Sequence, residues 1–181
     1  MTNSPDDEKV GAAVTLGLLA AWALHDAEEL ATVPGWWRRE LPALRERFPT
    51  VPQAVWRRAG SVDGREFAVA VGAIAAAVAA ASAAGRLTAG RSAAYQTALT
   101  AFGLHGLVHL AQVAAVRGYT PGSATSPLVV VPFTLWARHR LRRAGVLRAT
   151  RPRDLAVGLG LAGAAAVGAH AVARRLTGRG A

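Results

Sequence analysis

Apolar residues in this chain are gathered into long blocks instead of recurring at helical spacing. The blocks are Val10–Leu24, Phe67–Gly85, Ser92–Val116, Ser123–Ala137 and Leu155–Ala173. A helix needs roughly 20 apolar residues to cross a bilayer. The pattern therefore predicts an all-α, integral-membrane helical bundle of about five transmembrane helices, over residues 10–33, 65–85, 92–116, 122–137 and 155–173. The alternative is a water-soluble, alanine-rich bundle. Against it, Phe67–Gly85 has no polar side chain except Ser82, so as a helix it has no face to turn to water.

The polar stretches between the blocks complete the organisation. Residues 1–9 form an acidic tail, residues 10–176 a single membrane-embedded domain and residues 177–181 a C-terminal tail. The acidic start lacks the positive region of a signal peptide, so the first helix is expected to stay in the mature protein. Pro34-Gly35 predicts the end of that helix. Residues 36–60 contain Trp36-Trp37-Arg38-Arg39, Trp56-Arg57-Arg58 and three prolines, which predicts either short amphipathic pieces at a membrane–water interface or an ordinary solvated loop. Gly118 to Pro127 is rich in turn formers and reads as a lid or re-entrant turn, and Pro132 predicts a kink in the helix that follows.

Composition sharpens this picture. Hydrophobic residues make up 52% of the 181, and the net charge is +10. All the basic residues except Lys9 are arginine, and they sit beside the ends of the apolar blocks. That placement suits lipid headgroups and argues against a nucleic-acid partner. Basic residues divide almost evenly between the two sides, so orientation stays open. With no cysteine, disulfides and thiolate metal sites are excluded. Any metal must be held by nitrogen and oxygen.

The candidate chemistry lies in Leu24-His25-Asp26-Ala27-Glu28-Glu29-Leu30, near the end of the first apolar helix, where ionisable groups are costly. On a helix His25 shares a face with Glu28 and Glu29. His105 and His109, four apart, share a face of the third helix, which also carries Tyr95, Gln96, Thr97, Thr100 and Gln112. Helices one, three and five run in the same direction, and His25–Glu29, His105, His109 and His170 all fall in the same half of the bilayer. The Trp36-Trp37 segment and the Tyr119–Pro127 turn emerge on that side, where they could roof the site. Six residues can converge: His25, Glu28, Glu29, His105, His109 and His170. Imidazoles mixed with carboxylates suit zinc, iron or manganese. Asp26 points to another helix face, where a flanking arginine could meet it, and His139 belongs to the opposite surface.

His25-Asp26-Ala27-Glu28-Glu29 has the form His-x-x-Glu-Glu, and His105-Gly-Leu-Val-His109 is followed by Tyr119-Thr-Pro-Gly122. In these two blocks the chain resembles the HXXEE domain family of bacterial integral membrane proteins, over roughly residues 10–135. The resemblance implies a small multi-spanning protein and brings no activity with it.

The leading functional expectation is a multi-pass cell-membrane enzyme that depends on a divalent metal ion, oxidative with iron or hydrolytic with zinc, and acts on a lipophilic small molecule. His25, His105, His109 and one glutamate would ligate the metal, and the other glutamate would be a general base or bridging ligand. A proton- or cation-coupled transporter would use the same cluster, with a homodimer supplying the missing walls. In a structural or assembly factor the cluster would only bind helices together. The sequence does not decide whether Glu28 or Glu29 faces the site, because one residue turns a helix by about 100°.

Overall fold

The computed structural model describes residues 10–61 and 64–149, together with Gly168 and Arg175. The predicted span over 155–173, apart from Gly168, and its His170 lie outside the described residues. Helices and turns make up the described chain, with no strand among those residues. The helices are α1 (Ala12–Thr15), α2 (Gly17–Arg47), α3 (Gln53–Gly60), α4 (Gly64–Leu87), α5 (Ala93–Val116) and α6 (Val131–Arg143), the last preceded by one π-helical turn, Ser126–Val130.

Two of these, α4 and α5, are long and apolar enough to cross a membrane. The predicted first span has no such helix, because α2 carries Asp26, Glu28 and Glu29 within its apolar part. Over 122–137 the chain forms a turn, the π-helical turn and then α6, which has only 13 residues and ends in arginines.

The helix expected to stop at Pro34 instead runs on to Arg47, with Pro34 and Pro42 inside it. An internal proline removes one backbone hydrogen bond and crowds the preceding turn. Packing offsets that loss here, because the continuation delivers Trp36 and Leu44 onto Trp56 of α3 in a small apolar core. The segment 36–60 is therefore the second half of α2, a short turn and α3, and it is more regular than its prolines suggest.

The main core joins Val14, Leu18, Tyr95, Leu99, Phe102, Val130 and Leu141. Tyr95 is fully buried and its hydroxyl donates to the Val14 carbonyl. Gln96, polar within an apolar helix, has a structural role. Its amide nitrogen donates to the carbonyls of Gly90 and Val146, and its side-chain oxygen accepts from the Arg148 amide. Ser92 caps α5 by accepting from the Tyr95 amide. At Gly106 a side chain would lie 2.7 Å from Val130, so glycine lets the π-helical turn pack directly on α5. That contact brings the turn before α6 over the histidines of α5.

Candidate metal centre

α2 and α5 bring four of the six predicted site residues together. His25, Glu29, His105 and His109 each offer one ligand atom, and these atoms all lie within 4.8 Å of one another. The imidazoles pack edge to face, with ring centroids 5.1 Å apart for His25 and His105, 5.0 Å for His25 and His109, and 4.3 Å for His105 and His109. Nε2 of His105 and Nε2 of His109 are 2.9 Å apart. Glu29 spans the pair, with one oxygen 3.3 Å from His109 Nε2 and the other 3.9 Å from His105 Nε2. His25 is fully buried, whereas His105 stands at the rim with its side chain 45% exposed.

Glu28 is not part of this group. Its Oε1 accepts from the Tyr119 hydroxyl at 2.8 Å and the Ala124 amide at 3.2 Å. Its Oε2 accepts from the Thr125 amide at 2.8 Å and the Thr125 hydroxyl at 2.6 Å. Four donors fill this carboxylate, so it latches the 119–125 turn to α2. Glu29 is the glutamate that faces the histidines, which resolves the ambiguity left by helical spacing.

Thr125 carries the latch inward. Its Oγ1 lies 2.7 Å from His25 Nδ1. An ionised carboxylate can only accept, so the Thr125 proton points to Glu28 and the hydroxyl oxygen accepts from Nδ1–H of His25. That tautomer leaves the lone pair on His25 Nε2, a buried atom with no hydrogen-bond partner. A metal-binding histidine is normally held this way, its second nitrogen donating to an oriented oxygen.

The turn also closes the site from above. The Trp36 indole donates to the Tyr119 carbonyl at 2.8 Å. Gly122 has φ +78°, and a side chain there would lie 2.7 Å from the His109 ring. Only glycine allows this backbone both the left-handed conformation and contact with the imidazole. Tyr119, at the outer edge, has its phenol pKa raised, first by burial; a hydrogen bond with Thr32 works against the rise and the bond to the Glu28 carboxylate adds to it.

Asp26 is buried at 7% exposure, one helical turn before Glu29. Thr125, Tyr119 and Thr120 were not singled out by sequence reasoning. Turn composition marked their segment, but the Glu28 carboxylate that Tyr119 and Thr125 meet lies 91 and 97 residues away. His139 lies on α6 and is not part of the group.

These residues define an all-helical protein with a partly buried group of three imidazoles and one carboxylate, roofed by a latched turn. Residues 16–137 match the family described as "Protein of unknown function with HXXEE motif". The match covers more than half of the chain, which belongs to this family. No curated protein and no solved structure matches the chain.

Proposed function

We propose that this is a multi-pass cell-membrane protein and a metal-dependent enzyme acting on a lipophilic substrate. The observation that carries the reading is His25 Nε2, buried, without a partner and set among the ligand atoms of Glu29, His105 and His109. A buried polar atom without a hydrogen bond is costly, and a metal ion would satisfy it.

Three imidazoles suit zinc with an open fourth position, or iron. A metal held by these residues would supply Lewis acidity there. Glu29, whose oxygens already lie against two of the imidazoles, would help hold the metal and accept a proton beside it. Glu28, filled by four donors, would hold the turn and His25 in place and would not react. Zinc would make the chemistry hydrolytic, and iron would make it oxidative.

The distribution of apolar surface supports the membrane setting. Only 17% of the most apolar stretch of α4 and 22% of that of α5 is buried, and Leu107, Val108, Leu128 and Leu135 are exposed. A soluble bundle would cover such faces. The remaining spans of the proposed five would include the apolar half of α2 and the 155–173 block.

Elemental analysis of the detergent-purified protein tests the reading. About one equivalent of zinc or iron is expected, lost in His105→Ala and Glu29→Ala proteins that keep their helical circular dichroism. Wild-type protein that stays metal-free after metal-replete growth and reconstitution would overturn it in favour of proton or cation transport by the same cluster.

A further inference from the structure

A cavity of about 350 Å³ opens beside the cluster, with Glu29 and His109 at one end. Its walls are aromatic and aliphatic, formed mainly by Trp36, Trp37, Trp56 and Phe48, with Val116 at the far end of α5. From His109 to Val116 the helix rises about 10 Å. The volume is near the small end of ligand pockets, about 300–1,000 Å³. One hydrocarbon chain fits such a space, and the paired chains of a phospholipid do not.

The inner end carries an independent sign of a ligand. Thr120 lines the cavity and is 2% exposed. Its backbone carbonyl accepts from the Ser123 amide and its amide donates to the Ser123 hydroxyl, yet its own Oγ1 has no partner. A buried hydroxyl left unbonded at the edge of a pocket is poised for a polar atom of whatever fills it. The charge beside it restricts that atom, because a carboxylate placed there would face Glu29, whereas a neutral oxygen would not.

We infer that the cavity binds a single-chain aliphatic amphiphile with a neutral terminal oxygen, an alcohol or aldehyde, whose chain lies along the tryptophans and whose oxygen hydrogen-bonds Thr120 beside Glu29 and His109. This deepens the proposed function and rests on it for the reacting end. The binding itself requires no metal.

The test uses the full chain in phosphatidylcholine nanodiscs, treated with chelator, and a medium-chain fatty alcohol carrying bromine at its far end. Bromine held beside Trp36, Trp37 and Trp56 quenches their fluorescence. Saturable quenching is expected, weakened roughly tenfold by Thr120→Val, as for loss of one hydrogen bond, and retained by Thr120→Ser. The matching bromoalkane should bind equally to wild type and Thr120→Val. Val116→Phe, which fills the outer cavity, should abolish saturable quenching by both. Three outcomes would overturn the inference: quenching that rises only linearly with membrane partition, Thr120→Val indistinguishable from wild type for the alcohol, or a bromo-fatty acid that binds more tightly than the alcohol. Because the protein is metal-free throughout, failure here leaves the metal assignment to stand or fall on its own stoichiometry.

Discussion

The site-bearing half of α2 and the long helix α4 handle polarity in opposite ways. α2 places His25 and Asp26 out of contact with solvent, and its Glu28 and Glu29 are held by partners from distant parts of the chain. α4 is alanine, valine and glycine over most of its length, with few of its apolar side chains covered. Water favours the reverse arrangement, with apolar groups inside and charges outside. An inverted distribution is what lipid around α4 would produce. A buried polar group without a partner is expensive, and on α2 the two glutamates are engaged while His25 Nε2 alone of the cluster's α2 atoms is left open.

The sharpest way to break this comparison is to put a charge on the uncovered face of α4. Ala76 is exposed. In a bilayer, Ala76→Arg should cost about 3 kcal/mol of insertion free energy, read as a fall in the membrane-integrated fraction of the expressed protein. In water the same change would stay within about 0.5 kcal/mol, and wild-type yield and location would then count against lipid around α4.

On the α2 side, Gly122→Ala should give the largest local damage. It combines a left-handed backbone penalty of about 1–2 kcal/mol with contact against the His109 ring. A lower thermal midpoint and weaker metal retention are expected together, whereas an unchanged midpoint would show that the turn is free to move off His109. Next, Thr125→Val should weaken metal binding about 10–100-fold, the usual cost of losing an outer partner of a ligating histidine. Thr125→Ser should restore it, and competition with a chromogenic chelator measures both.

The smallest effect is expected from Tyr119→Phe, which removes one of the four donors to Glu28, at about 0.5–1.5 kcal/mol. The folded-state pKa of Tyr119 is raised. Its contribution is thus fully present below the ordinary tyrosine range and is lost as pH rises through the folded value. Wild type and Tyr119→Phe should differ in thermal midpoint at neutral pH and converge in strong alkali. An equal difference at every pH would argue that the phenol does not act through this bond.

The sequence made part of this legible. The spacings His25 to Glu29 and His105 to His109 each put two groups on one helix face, and no knowledge of the fold was needed to see it. The division of labour between Glu28 and Glu29 was not legible, because it depends on the azimuth at which α2 meets α5 and on a turn arriving from residues 119–125. Pro34 was misleading for a related reason. Its local penalty was visible, but the compensation from Trp36 and Leu44 packing on Trp56 was not. The π-helical turn at Ser126–Val130 has no local signature beyond Pro127, and it moves the start of α6 away from where the apolar block begins.

The latch on Glu28 also bears on timing. The 119–125 turn is fastened at six points, four on the Glu28 carboxylate, one through the Trp36 indole and one between Thr125 and His25. On the proposed reading, an ion held at His25 Nε2 would sit beneath this turn. Loading would then belong to the moment of assembly, before the fasteners close. Afterwards, release to a chelator would be slow, at a rate set by the opening of the backbone around Ala124 and Thr125.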